Sequence, residues 1–159
     1  MSTKEPTSAL IDFILNLPLF GSLNRMQVDV VARYVKRRNL KAGGVLFHQW
    51  DKADYVCFIE QGSLEVLKKN GPEEYQAVTT LRRGRSIGEM SVIDNFPRTA
   101  TVRAYTNARV VLLTRTDFER LMVEHHDIGI EIIKGLARLM ARNLHKTSSR
   151  LADNMLPMA

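Results

Sequence analysis

Tyr55-Val56-Cys57-Phe58-Ile59-Glu60-Gln61-Gly62-Ser63-Leu64-Glu65-Val66-Leu67-Lys68 is the stretch from which the fold can be read. Both halves are rich in β-branched, aromatic and aliphatic residues, and a Gln-Gly pair divides them. That pattern predicts strands at Tyr55–Glu60 and Ser63–Lys68, with Gly62 supplying the φ > 0 conformation that other residues resist. Similar runs lie on either side, at Val45–His48, Tyr75–Leu81, Thr99–Ala104 and Ala108–Thr114. Turn signals separate them at Ala42-Gly43-Gly44, Asn70-Gly71-Pro72 and Arg83-Gly84. Asn70-Gly71 is the best hairpin signal, and Pro72 implies a loop longer than two residues. Residues 36–114 therefore read as an antiparallel β-sandwich or barrel.

Helical periodicity flanks this region. Ser8–Leu17 places Leu10, Ile11, Ile14 and Leu15 at helical spacing, and Pro18 closes the run because the residue before a proline is pushed out of the α region. A second helix is expected from Asn24 to Val35 with Met26, Val30, Val31 and Tyr34 inward, so that residues 7–35 form an N-terminal helical layer. Thr116-Asp117-Phe118-Glu119 has the form of a capping box, opening a helix through Val123. A longer helix from Asp127 to Ser149 carries Ile132, Ile133, Leu136, Leu139, Met140 and Leu144 on one broad face, completing a helical region 116–150. The tail Ala152–Ala159 is expected to fray. The fold class is α+β: a β-roll or jelly-roll sandwich with N-terminal helices and a C-terminal lid helix, in one domain spanning residues 1–159.

Composition narrows the function classes. The chain has 159 residues, 45% hydrophobic and 25% charged, within the globular range and far from intrinsic disorder. One cysteine, Cys57, makes neither an intramolecular disulfide nor a four-ligand zinc site. A reducing, cytoplasmic compartment is the expectation. No apolar run reaches the 18 or so residues of a membrane span, and Glu5 and Pro6 interrupt any secretory leader. A net charge of +6 suits an anionic partner and equally serves solubility.

One segment departs from the sandwich pattern: Gly84-Arg85-Ser86-Ile87-Gly88-Glu89-Met90-Ser91-Val92-Ile93-Asp94-Asn95-Phe96-Pro97-Arg98-Thr99-Ala100-Thr101-Val102. An arginine entering a strand can receive a phosphate, because its planar guanidinium gives bidentate charge-assisted hydrogen bonds. Glu89 repels a phosphate, yet it suits a ligand that presents a hydroxyl donor a few ångströms from that phosphate, as a ribose 2′-OH does.

Ile87-Gly88-Glu89-Met90, followed nine positions after the glutamate by Arg98-Thr99-Ala100-Thr101-Val102, resembles the phosphate-binding cassette of the cyclic nucleotide-binding domain family. Catabolite activator protein, the regulatory subunits of cAMP-dependent kinase and the cytoplasmic domains of cyclic-nucleotide-gated channels belong to that family. Leu17-Pro18-Leu19-Phe20 and Gly62 are similar to two further family signatures. The resemblance implies that Glu89 accepts from the ribose 2′-OH and Arg98 pairs with the cyclic phosphate. It also implies a cradle of Gly88, Met90, Ser91, Thr99 and Ala100. Thr99 admits cGMP as well as cAMP. Helix residues Leu136, Arg138 and Met140 are the positions from which a base lid would be drawn. One departure is Trp50, where Gln49-Trp50-Asp51 resembles the family's Gln-Gly-Asp turn; a bulky residue at φ > 0 is strained, in a loop expected to lie outside the cassette.

What the resemblance implies is a non-enzymatic sensor of cAMP or cGMP whose C-terminal helix responds to ligand, acting through an effector protein or as a homodimer. No cofactor, metal, membrane span or DNA-binding domain is expected. The alternative is a structural or protein-interaction module with a degenerate, unoccupied pocket; a separate alternative reading of Glu89 and Arg98 is a structural ion pair that stabilises the loop. His125-His126 reads as a helix-end pair rather than metal ligands, and Cys57 as a small buried hydrophobe. Val92, Ile93, Phe96 and, within the cradle, Met90 read as packing residues. Lys134, Arg138, Arg142, Lys146 and Arg150 draw a basic stripe that reads as the solvated side of the helix. Neither a Walker loop nor a serine nucleophile elbow occurs, which leaves a nucleotide hydrolase without its chemistry.

Overall fold

A computed structural model describes residues 5–155. The alternation along the central strands sets the architecture. Strand β3 (Tyr55–Gln61) is buried on both faces, and its residues divide by parity between two hydrophobic clusters. Val56 and Phe58 pack with the helices, whereas Cys57 and Ile59 point into the sandwich. Strand β8 (Ala108–Thr114) divides in the same way, sending Val111 and Leu113 to the helices and Val110 to the sandwich. Three layers result: helices, one sheet, then the second sheet.

The sheet beside the helices has the order β1-β8-β3-β6, with β1 at Lys36–Leu40 and β6 at Ser86–Ile87. The outer sheet has the order β2-β7-β4-β5, with β2 at Val45–Phe47, β4 at Ser63–Lys69, β5 at Tyr75–Arg82 and β7 at Thr101–Ala104. All pairings are antiparallel. Gly62 marks the passage of the chain from one sheet to the other. Its φ is +77°, and a Cβ there would meet the Asn107 carbonyl oxygen at 2.2 Å. The Asn70-Gly71 turn closes the β4–β5 pair over residues 70–74, longer than a two-residue hairpin, as Pro72 predicted.

Helix α1 (Ser8–Leu15) is capped by the Thr7 side chain and ends before Leu17, which Pro18 holds extended. A 3-10 helix follows at Pro18–Phe20, then α2 at Arg25–Ala32 with an Asn24/Gln27 capping box. Met26 is 82% exposed, against the expectation, while Val28 and Val31 face the core. Val28, Val31 and Ala32 form the buried face of this short helix, and Met26 lies on the opposite side. The capping-box expectation at Thr116 shifts as well: Thr114 accepts from the Asp117 amide, so α3 runs Arg115–Glu124.

Helix α4 spans His126–Met155. Ile128, Ile132 and Leu136 are buried, but Leu144 is exposed, so the broad apolar face is covered only along its first half. The helix persists through Ala152–Met155, where fraying was expected; the rest of that tail lies outside the described residues. Gly135 lets α4 cross the Pro18–Phe20 turn closely, since a Cβ there would stand 2.3 Å from the Leu19 carbonyl oxygen. Two strands were missed. Lys36–Leu40 is polar on its exposed residues, and Ser86–Ile87 is too short to show a pattern.

Candidate functional site

Gly88 turns the chain from β6 into a 3-10 helix, Glu89–Val92, with φ at +77°. The following loop returns to the sandwich through Pro97, placing Arg98 just ahead of β7. Phe47, Val66, Gly88, Glu89, Arg98 and Thr99 are among the residues lining a cavity of about 460 Å³, together with Met90, Ser91 and Ala100. All seven residues expected to bind the ligand therefore border one cavity. Met90 is exposed on its lip, as are Ile93 and Phe96 beside it, so these three do not pack into the core as expected; Val92 does.

Arg98 governs the electrostatics. Only 4% of it is exposed, yet among the described residues no carboxylate pairs with it. Its guanidinium donates from Nη1 to Ser91 Oγ at 3.0 Å and from Nη2 to the Tyr55 carbonyl oxygen at 2.8 Å. The rings of Phe47 and Tyr55 lie 4.1 and 4.5 Å from its Cζ, within cation–π range. Nε is buried and has no partner among the described residues. Burial desolvates the charged form and lowers the Arg98 pKa from the usual arginine range, although a guanidinium still keeps its proton in proteins. A buried cation held by neutral oxygens and aromatic faces, with a donor to spare, can receive an anion.

Glu89 faces the same cavity and does not meet Arg98. It accepts from the Ser86 hydroxyl at 2.5 Å, which holds one carboxylate oxygen in place. The ion pair of the alternative reading is not formed among the described residues.

Three contributors escaped the sequence reading. Phe47 and Tyr55 flank the Gln49-Trp50-Asp51 turn and carried no polar signal. The turn itself lies outside the cassette, as expected, but braces it: the Trp50 N–H donates to the Arg98 carbonyl oxygen at 2.8 Å, and the Arg98 N–H donates to Asp51 O at 2.9 Å. Trp50 has φ at +75°, as the departure from glycine foretold, with its indole 73% exposed.

Of the lid positions, Leu136 is buried in the helical core and Arg138 is exposed, as is Met140. None lines the cavity around Arg98. The part of α4 nearest the cassette carries Leu139, Arg142, Asn143 and Lys146. These border a second cavity of about 430 Å³ that shares the Ile87–Glu89 wall with the first. His125 ends α3 and His126 begins α4. Cys57 is fully buried, and burial pushes its thiol up to about 12.

A sequence profile of the cyclic nucleotide-binding domain family matches residues 37–125, from β1 to the end of α3. This chain belongs to that family. It is similar to the cAMP-dependent protein kinase regulatory subunit of Blastocladiella emersonii, 29% identical over 141 residues that make up 84% of this chain and 35% of the relative. Among solved structures it is similar to the catabolite activator protein of Thermus thermophilus, with 26% identity and a TM-score of 0.75 over 85% of this chain and 62% of that one. A cyclic nucleotide-binding domain from Methylobacillus flagellatus shares the fold at a TM-score of 0.77, with 23% identity over 94% of this chain and 84% of that one. The chain spans about a third of the length of the curated relatives it matches. Among the described residues no helix is long and apolar enough to cross a membrane.

Proposed function

We propose that this chain is a non-enzymatic regulatory module that binds cAMP or cGMP reversibly in the cavity around Arg98. The observation that carries this reading is the buried, carboxylate-free Arg98 with its unpartnered Nε. A cyclic phosphate bears one negative charge and two free oxygens, which suits a guanidinium anchored through one N–H of each Nη and keeping Nε–H free. Glu89, held by Ser86 on the same cavity wall, supplies the acceptor for a ribose 2′-OH. Similarity to a cAMP-dependent kinase regulatory subunit supports the ligand class. The β-roll offers one thiol, and its desolvation keeps it protonated and unsuited to nucleophilic chemistry.

In this reading helix α4 responds to ligand. Leu139, Arg142 and Asn143 already border the Ser86–Glu89 wall, so a base extending past the ribose meets that side of the helix. Exposed Met140, Leu144, Leu151 and Met155 further along α4 give an effector or a second copy an apolar surface to grip.

Calorimetric titration tests the ligand. cAMP or cGMP should bind saturably and 5′-AMP much more weakly, because its open, dianionic phosphate does not match a site built for a ring. Arg98→Ala should weaken binding by about 2 kcal/mol or more. Glu89→Gln should cost less and narrow the difference between ribose and 2′-deoxyribose ligands. Equal affinity for cAMP and 5′-AMP, or wild-type affinity in Arg98→Ala, overturns the reading.

A further inference from the structure

Arg115 occupies the first position of α3, half-buried, with its guanidinium directed away from its own helix. Nε and Nη2 donate to the Ser91 carbonyl oxygen at 3.0 and 2.7 Å, and Nη2 also donates to Ala53 O at 3.2 Å. Further bonds run to the Asp94 carbonyl oxygen and to the side-chain oxygen of Asn95. The Arg115 peptide N–H donates to Asp54 O at 2.7 Å. Every one of these acceptors is neutral. Among the described residues no carboxylate pairs with Arg115, so its placement depends on the planar fork of donors rather than on charge.

The segments it grips are those that aim Arg98. The Arg98 guanidinium rests on two oxygens, Ser91 Oγ and the Tyr55 carbonyl. Arg115 holds the carbonyl of that same Ser91, and it holds Ala53 and Asp54, the two residues immediately before Tyr55. The 3-10 helix Glu89–Val92 is too short to keep its own shape, and the carbonyls at its far end have no partner within it.

We propose that Arg115 is a positioning residue for the nucleotide site: by pinning Ser91 and Ala53–Asp54 it fixes the two oxygens that orient Arg98 toward the phosphate. The proposal rests on the reading of this cavity as a cyclic nucleotide site. Productive contacts tolerate displacements of only about half an ångström. Released carbonyls that turn to water would let Ser91 swing further than that.

The test uses Arg115→Met, Arg115→Lys, Ser91→Ala and the double variant Arg115→Met/Ser91→Ala, with folding checked by urea unfolding. Arg115→Met should weaken cAMP binding about tenfold, and Arg115→Lys should restore only part of the loss, because an ammonium cannot span the acceptors. If Arg115 acts through Ser91, the double variant binds much more tightly than the product of the two single losses predicts. A second readout needs no nucleotide: exchange of the Arg98 Nε–H with solvent, followed by NMR, should speed up in Arg115→Met, or in Arg115→Lys if the methionine variant does not fold. Strictly additive losses, or a folded variant with wild-type affinity and unchanged Nε–H exchange, overturn the proposal. Should the wild-type chain bind neither nucleotide, the functional reading fails by itself and the Nε–H exchange decides the role of Arg115.

Discussion

A Cβ atom on Gly88 would stand 2.1 Å from Nη1 of Arg98. The turn that opens the 3-10 helix and the cation that faces the cavity therefore occupy adjoining space, and the glycine is required twice, once by its φ of +77° and once by the guanidinium. Gly88→Ala must displace Arg98 from Ser91 or bend the turn. Nucleotide affinity should fall at least tenfold, with a loss of fold stability of about 1–3 kcal/mol from the strained backbone. Calorimetry alongside urea unfolding separates the two effects; unchanged affinity would show that Arg98 does not need its present position.

Trp50 presents the opposite case. Its φ of +75° costs energy that glycine would not incur, and an indole 73% exposed returns little by packing. Trp50→Gly should stabilise the fold by about 1 kcal/mol, part of the relief being offset by the greater freedom of glycine in the unfolded chain. Because the Trp50 N–H and Asp51 O bracket the backbone of Arg98, the relaxed turn should also leave nucleotide affinity equal or higher. A lower urea midpoint in Trp50→Gly would mean that the indole makes a contact worth more than the strain.

The sequence made these positions legible to unequal degrees, for physical reasons. Glu89 and Arg98 stood out because two opposite charges at fixed spacing in a glycine-punctuated segment have no role in a sandwich core. Trp50 was conspicuous as a bulky residue at a turn, but its link to Arg98 runs through main-chain atoms that no residue type reveals. Arg115 lay beside the apparent cap at Thr116, and only the fold shows that it reaches Ser91 and Ala53. Strand β1 was hidden because four of its five residues are exposed and polar, so no apolar alternation marks it. The lid positions depended on how α4 is rotated against the Pro18–Phe20 turn. That rotation is set by the close crossing at Gly135 and moves Leu136 into the core instead of toward the cassette.

The buried thiol of Cys57 predicts an alkaline weakness. Burial raises its pKa from 9.0 to about 12, so above pH 9 the unfolded chain binds fewer protons at this site than the folded one. The stabilising contribution is complete below pH 9 and is lost as pH rises toward 12, at up to about 1.4 kcal/mol per pH unit. Cys57→Val keeps the apolar volume and removes the titration. Its unfolding free energy should decline less steeply than that of the wild type between pH 9 and 12. Parallel curves for the two proteins would place the alkaline loss in other groups.

Helix α4 has two parts with different anchorage, and that division shapes the last prediction. Ile128, Ile132 and Leu136 are buried in the helical core, so cutting the chain ahead of them would remove part of the fold along with any response. Beyond Ala137 the helix faces the β-roll across the cavity that Leu139, Arg142, Asn143 and Lys146 line together with Glu89. Truncation after Ala137 should therefore leave a folded domain that still binds nucleotide through Glu89 and Arg98, but several-fold more weakly, since the helix no longer closes on the base. In the full chain, amide hydrogen exchange over residues 138–147 should slow at saturating ligand, because nucleotide can shift the helix only if it binds the closed arrangement more tightly than the open one. Exchange over residues 128–136 should change little, those residues being packed in both states. If exchange at 138–147 stays the same and truncation leaves affinity intact, α4 takes no part in ligand capture, and a bound nucleotide must signal through another surface of the β-roll.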